Sequence, residues 1–434
     1  MEFGSWVALL VFIGMLVLVF LGVPIFIAVA GAALVGSLIV GGASFTLQQF
    51  AALPYFTTST FTFAVVPLFI LMSVLAADVG IADAAYEAAS KWFGRLRGGM
   101  LIGTVVASAI FGAACGQFLA AAAVFAKTAL PQLNKYNYDR SLSMGCIATS
   151  GTLSVLIPPS VPIIIFCILL DVSIGRALVA GIIPGLILTV MLSLVIIIIG
   201  RLRPETMPSA NIQVSWKERF KSITLVGPVL FIIALVIGGM YLGVFAPTVG
   251  GAIGSMGVLL IAAIRRVKLS VIAHSFYETV LINAQIFPLL IGGFLFARFI
   301  LLSGLSGDIM QLIGQSNLHP LVLMLIVIIF YLFIGCVLEF LSIAVITLPL
   351  VFPVLTAAGF DPIATLIIII MLSQIATITP PLGMAAFAVA SIAGVKSEEV
   401  FRGIIPFFIV CLLLTVMIVL YPQIATWLPN LFYG

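Results

Sequence analysis

Thr149-Ser-Gly-Thr-Leu-Ser-Val-Leu-Ile-Pro-Pro-Ser160 decides the fold, because the chain writes its surroundings twice. The landmarks around it are Pro131, Asp139, Pro158-Pro159 and Gly181-Ile-Ile-Pro184. Adding 222 to each number gives Pro353, Asp361, Pro380-Pro381 and Gly403-Ile-Ile-Pro406. One ungapped offset carries every landmark. A weaker echo, Leu21-Gly-Val23 against Leu242-Gly-Val244, extends the relation to the start of each half. The chain reads as a tandem duplication, with a first repeat over residues 1–210, a linker and interfacial arm over 211–222, and a second repeat over 223–434.

In both copies a Pro-Pro pair interrupts an apolar run. Proline removes a backbone donor and clashes with the preceding turn, so a helix breaks there. Inside a bilayer, the freed backbone groups are tolerated only where protein, ions or water satisfy them. Broken helices at matching places in two halves point to a transporter's binding site.

Composition sets the medium. Of 434 residues, 63% are hydrophobic and 7% charged, against about 25% charged in an ordinary soluble domain. Apolar runs of the length needed to span, about 20 residues, recur from end to end. The net charge of +4 is small, and no basic run is long enough to suggest nucleic acid. All five cysteines, Cys115, Cys146, Cys167, Cys336 and Cys411, lie in apolar segments without paired spacing and read as small buried hydrophobes. Met1 to Trp6 lacks the basic start of a cleavable signal, so the first apolar run reads as a membrane helix.

In chain order, helices are expected over Ser5–Leu21 and Ile25–Val40, then a polar-flecked loop over Gly41–Thr62, a span over Phe63–Ala77 and an interfacial helix over Ile81–Arg97. Met100–Leu133 is apolar but interrupted midway at Gly112-Ala-Ala-Cys-Gly116, leaving two arms too short to span; a re-entrant hairpin fits it better. A broken helix follows over 139–170, then a span over Ala177–Gly200. The second half repeats the order: Leu225–Tyr241, Pro247–Ile264, a short arm around Arg265–Tyr277, a span over Val280–Leu302, a second hairpin over 321–355, a broken helix over 362–393 and a last span over Gly403–Tyr421. The basic segments 91–97, 135–140, 201–221 and 265–268 fall on one side of a membrane only if the first hairpin enters and leaves the same face. That face is the cytoplasmic one. The second hairpin then opens from the opposite face, both termini lie outside, and the halves form an inverted-topology repeat. The expected fold is an all-α polytopic membrane protein with about ten spanning helices, two re-entrant hairpins and two broken helices.

The breaks hold most of the hydroxyls available at mid-membrane depth, among them Ser154 and Ser160 in one, beside Gly151, and Thr377 and Thr379 in the other, beside Pro380. Free carbonyls and hydroxyls offer hard oxygen ligands suited to sodium, and the positive end of the following half-helix suits an anion. Glu339, in the second hairpin, either faces an ion or water cavity or sits at an aqueous edge; buried without a partner it costs about 2.5–3.5 kcal/mol. Gln117, beside the first tip, either lines such a site or caps a helix end. Asp139 and Asp361 read as helix N-caps, and Arg298 as a residue snorkelling to an interface. No nucleophile–base pair, phosphate loop or metal-spaced His/Cys cluster is present, so the chain does not read as an enzyme.

With the hairpins and broken helices in place, the sequence resembles the large membrane subunit of tripartite ATP-independent periplasmic (TRAP) transporters, the DctM-like family. Tyr138-Asp-Arg140 leading to Ile157-Pro-Pro-Ser160, then Gly181-Ile-Ile-Pro-Gly185 and Thr379-Pro-Pro-Leu-Gly383, carry the resemblance over essentially the whole chain. It implies a subunit of the bacterial inner membrane that imports organic anions, carboxylates or related acids, on a sodium gradient by an elevator motion. It also implies two partners, a small four-helix membrane subunit and a periplasmic substrate-binding protein, and no cofactor beyond coupling sodium ions. Carried over, one sodium site falls at Cys115, Gly116, Gln117, Ser154, Ile157 and Pro159, and a second at Gly335, Glu339, Thr377, Thr379 and Met384. The family's first tip usually reads Gly-x-x-Ser-Gly-Ser; here Gly112-Ala-Ala-Cys-Gly-Gln117 replaces both hydroxyls, leaving backbone carbonyls as ligands. The second tip often carries Asp where Glu339 stands. A self-sufficient sodium-coupled symporter or antiporter of the same architecture is the alternative, and a channel or non-transporting scaffold a third reading.

Overall fold

The computed structural model describes residues 2–209, 214–315, 318–335, 338–381 and 383–433, and among them every regular element is a helix. Among the described residues nine helices are long and apolar enough to cross a membrane, or ten if the bent pair Arg140–Leu156 and Val161–Leu170 counts as one span. The chain is a multi-pass membrane protein. Its core is aliphatic and aromatic, and the four described cysteines are all buried free thiols within it; Cys336 lies outside the described residues.

The first hairpin is Gly99–Cys115 and Phe118–Thr128. Its turn falls at Gly116, the last residue of the expected interruption at Gly112–Gly116, because Gly116 adopts the left-handed conformation (φ 59°, ψ 11°). The arms are therefore unequal, 17 and 11 residues. The second hairpin is Pro320–Ile334 and Phe340–Ala357, and Cys336 and Val337 at its tip lie outside the described residues. The first broken helix runs Arg140–Ser150, Leu153–Leu156 and Val161–Leu170, with a 50° bend; the second runs Pro362–Thr377 and Met384–Ala393, with Leu382 outside the described residues. Pro158-Pro159 and Pro380-Pro381 are both cis. Each broken helix starts on the aspartate expected as its cap: Asp139 Oδ1 accepts the Leu142 N–H at 2.7 Å and Asp361 Oδ1 the Ala364 N–H at 2.9 Å.

Several boundaries differ from the sequence expectation, among them the helix expected from Leu225, which starts at Trp216, and the last span, which starts at Ser397 rather than Gly403. Residues 43–59 are helical, continuing Ile25–Ser59 beyond a break at Gly42 (φ 75°). The hydroxyls that suggested a loop turn back onto their own helix, Thr46 onto the Gly42 carbonyl at 2.8 Å and Thr57 onto Leu53 at 2.8 Å, so they need no water. The expected arm around Arg265–Tyr277 and the span over Val280–Leu302 largely fuse into one helix, Leu269–Ser303, of 35 residues. At about 1.5 Å per residue it is about 52 Å long, more than one crossing needs. Two short amphipathic helices, Leu305–Gln315 and Gln423–Tyr433, are additional.

The halves are interlocked rather than side by side. A β-carbon on Gly403 would lie 1.8 Å from the Ser141 carbonyl oxygen, and one on Gly145 2.0 Å from the Gly403 carbonyl carbon. Helix Ser397–Leu420 thus meets helix Arg140–Ser150 backbone to backbone, a contact that small residues alone permit. The Ser141 hydroxyl donates to the Glu399 carbonyl at 2.6 Å, and the Arg140 guanidinium donates to the Ala393 carbonyl at 2.9 Å across the same seam. On the interfacial helix Ile81–Phe93, the Trp92 indole N–H donates to the Arg219 carbonyl at 3.2 Å. Its ring meets Trp216 and Phe220 edge-on at 6.5 and 5.8 Å. Arg176, at the start of helix Ile174–Leu202, donates to Asn430 Oδ1 at 3.1 Å. That contact therefore lies about 39 Å along the helix from the linker that follows its far end.

Candidate functional site

The first hairpin tip is pressed onto the first break. A β-carbon on Gly116 would lie 2.8 Å from the Pro159 carbonyl oxygen, 3.2 Å from the Val161 nitrogen and 3.3 Å from the Ser160 α-carbon. One on Gly151 would lie 3.1 Å from the Phe118 carbonyl oxygen. The Ser154 hydroxyl reaches the Gln117 carbonyl at 3.4 Å and also contacts the Gly151 carbonyl. The Cys115 thiol lies 4.0 Å from that same Gln117 carbonyl. Ser160 caps the half-helix after the break, accepting the Ile163 N–H at 3.3 Å. Ile157 closes the last turn before it, donating its N–H to Leu153 at 2.9 Å. All eight residues singled out in the first half thus lie at one tip-and-break junction.

The second set is brought together more loosely. A β-carbon on Gly335 would fall 1.9 Å from the Ala376 β-carbon, so the second tip abuts the end of helix Pro362–Thr377. The Thr377 hydroxyl donates to the Gln374 carbonyl at 2.7 Å and the Thr379 hydroxyl to the Ile375 carbonyl at 2.6 Å. Both hydroxyls serve their own helix. Glu339 is the N-cap residue of helix Phe340–Ala357 and accepts from the Ser342 hydroxyl at 3.3 Å. Met384 begins the half-helix after the second break, and Pro380 lies within the break.

The two sets meet at a cavity of about 170 Å³. Gln117, Glu339, Thr377 and Met384 line it; Cys115, Gly116, Gly151, Ser154, Ile157, Pro159, Ser160, Gly335, Thr379 and Pro380 do not. Its wall is made largely from helix beginnings: Phe118 to Ala120, Val161 and Pro162, Phe340 and Leu341, and Met384. A helix N-terminus carries about half a positive charge and unsatisfied N–H groups. Four of them converge here, and the helices starting at Phe118, Phe340 and Met384 have no side-chain cap. Phe166 and Phe340 stack at 5.5 Å, tying the first broken helix to the second hairpin.

Two polar residues here were not anticipated from sequence. Gln285, on the long helix Leu269–Ser303, lines the cavity from outside the hairpins and breaks. It is one of two amides, with Asn283, in an apolar run three residues before Pro288, a signal the sequence carries. Gln374, one turn before Thr377, buries both amide atoms without a partner among the described residues; each such unmet atom costs about 1–3 kcal/mol. Arg298 and Asp171 lie elsewhere, both exposed, at a separate cleft. No cluster of three His, Cys, Asp or Glu residues able to hold a metal occurs among the described residues.

Paired hairpin tips and paired helix breaks around a largely apolar cavity with a few polar groups define the permease component of a secondary transporter. Residues 12–424 match the model of the tripartite ATP-independent periplasmic transporter family, DctM component, and the chain belongs to that family. It is 28% identical to the C4-dicarboxylate TRAP transporter large permease protein DctM of Pseudomonas aeruginosa, over 86% of this chain and 87% of that one. It is equally 28% identical to the sialic acid TRAP transporter large permease protein SiaM of Vibrio cholerae (97% and 98% covered) and to the ectoine TRAP transporter large permease protein TeaC of Halomonas elongata (96% and 97%). The fold is shared with the solved YdaH transporter of Alcanivorax borkumensis at a TM-score of 0.63, with 13% identity over 93% of this chain and 97% of that chain. The chain is accordingly a transporter subunit and not an enzyme.

Proposed function

We propose that this chain is the transport subunit of a sodium-coupled, binding-protein-dependent importer of carboxylates or related acids, working by an elevator motion. The convergence of four helix beginnings on one cavity carries the proposal, because it offers positive potential to an anion without a basic side chain. Sodium coupling is supported by the carbonyls of Gln117, Gly151 and Pro159 and the Ser154 hydroxyl gathered at the first junction. A hard cation takes oxygen ligands, and here most are backbone. The elevator reading is supported by the division of the cavity wall. Hairpins and breaks pack on one another, and Gln285 comes from a long helix outside them.

Relatives named for dicarboxylate, sialic acid and ectoine set the substrate class. The tripartite family implies a periplasmic binding protein and a small membrane subunit. In this proposal the basic linker is cytoplasmic and both termini periplasmic, an orientation that the separation of the C-terminal helix from the linker supports.

The test is uptake of labelled organic acids into proteoliposomes holding this chain and its small subunit, under an imposed sodium gradient, with and without the binding protein. Uptake that needs both sodium and the binding protein is expected. Sodium-driven uptake without the binding protein would establish a stand-alone symporter instead. Absence of counterflow would leave a channel or scaffold.

A further inference from the structure

Among the described residues, Gln285 is the only polar residue of the central cavity contributed by neither a hairpin nor a break. It lies about 24 Å along the 35-residue helix Leu269–Ser303, near its middle. Its side chain is exposed and makes no hydrogen bond among the described residues. The neighbouring Asn283 differs, because its Nδ2 donates to the Thr279 carbonyl at 2.7 Å within the same helix. Pro288 cannot donate to the Ala284 carbonyl one turn back, so this level of the helix also carries a backbone acceptor without its helical donor.

An amide without a partner at mid-membrane depth is costly unless protein, water or cargo meets it. The duplication shows that helix packing does not require one here. The offset of 221 that relates Leu21-Gly-Val23 to Leu242-Gly-Val244 also relates Pro67 to Pro288, and it sets Ala64 against Gln285. The proline stands in both halves and the amide in one.

We propose that Gln285 is a specificity-determining residue, the long helix's own hydrogen-bonding contact with the cargo. Its Nε2 can donate to a substrate carboxylate, and its Oε1 can accept from a substrate hydroxyl or ammonium. The inference rests on the transport reading of this cavity. A neutral amide suits the role, because the contact must break before loaded hairpins and breaks move past the helix. Losing it therefore weakens binding without slowing turnover at saturation. In the test, the chain with its small subunit is placed in lipid nanodiscs, and thermal shifts are titrated with succinate, sialic acid and ectoine in sodium. The acid with the tightest midpoint is then used for sodium-driven uptake into proteoliposomes. Gln285→Leu should raise the binding midpoint about tenfold, the loss of one hydrogen bond. Its maximal uptake rate should stay within about twofold of wild type, and the small subunit should still co-purify. Gln285→Asn, which keeps the amide on a shorter stem, should recover part of the loss. Asn283→Leu should leave the midpoint within about twofold.

A Gln285→Leu midpoint within about twofold of wild type overturns the proposal. Loss of the small subunit from that variant overturns it too, and assigns Gln285 to the interface between subunits. An equal rise in Asn283→Leu does the same, by making the effect one of helix packing. Absence of binding by all three acids to wild type removes the transport reading itself, and this inference with it.

Discussion

Replacing Gly116 with alanine tests whether the first tip and the first break act as one ion-binding unit. Two separate penalties can be worked out. Gly116 has φ 59°, and a side chain in that left-handed region costs about 1–2 kcal/mol. The added β-carbon would also lie 2.8 Å from the Pro159 carbonyl oxygen and 3.2 Å from the Val161 nitrogen. Both are backbone atoms with no rotamer to change, so overpacking adds about 1–3 kcal/mol. The tip relieves that strain by lifting off the break, which parts the Gln117 carbonyl from the Ser154 hydroxyl. A penalty of about 2 kcal/mol against the closed junction lowers sodium affinity about 30-fold. The assay is the sodium midpoint for thermal stabilisation of purified protein, with size-exclusion behaviour as the folding control. Gly116→Asn separates the penalties, because asparagine tolerates the left-handed region but brings the same β-carbon. It should recover part of the loss and no more. A Gly116→Ala protein with a sodium midpoint within about twofold of wild type would refute the reasoning. Full recovery in the asparagine variant would refute its steric half.

Ser154→Ala removes the donor to the Gln117 and Gly151 carbonyls and should raise the sodium midpoint about tenfold, from about 1–1.5 kcal/mol, read by the same titration. Gly403→Val should lower the yield of monodisperse protein and its melting temperature, because its β-carbon would meet the Ser141 carbonyl oxygen at 1.8 Å; a wild-type melting curve would contradict the interlocked seam. Asp139→Ala should destabilise by about 1 kcal/mol through loss of an N-cap and leave the sodium midpoint unchanged, with Asp139→Asn restoring most of the loss. A shifted midpoint in Asp139→Ala would make that aspartate part of the ion site.

The architecture was legible wherever the sequence signal was a backbone constraint. Proline pairs break helices whatever surrounds them, so both breaks fall where the pattern put them. Asp139 and Asp361 cap because each precedes a helix start. Misplaced boundaries arose where side-chain polarity stood in for backbone conformation. Thr46, Thr57, Thr58 and Thr60 made residues 41–62 look like a loop, yet each hydroxyl is satisfied inside the helix. The Gly-Ile-Ile-Pro pair shows a different limit. Its repetition was visible, but that Gly181 faces the Leu156 carbonyl and Gly403 the Ser141 carbonyl depends on which helices become neighbours. Pairing of that kind is a property of the assembled bundle. Gln285 was missed for the same reason, since an amide in an apolar helix does not announce which cavity it faces.

The cavity itself follows from duplication more directly than from any motif. Residues related by the repeat face one another where the two copies meet, and the offset that matches Pro158 to Pro380 also matches Gln117 to Glu339 and Phe118 to Phe340. Phe340 begins one returning arm and Phe118 the other, so helix geometry is conserved between the halves at this point while charge is not. A symmetric pair of carboxylates would place two like charges on one small cavity and disfavour any anion. A symmetric pair of amides would leave no means of telling one end of a substrate from the other. One amide facing one carboxylate keeps the attraction of the helix beginnings and gives the site a direction. Gln117→Glu should therefore abolish acid binding while leaving the fold intact, because it supplies a second carboxyl group to the same cavity. Retained binding in that variant would mean that the two positions do not share the cargo, whatever their place in the repeat.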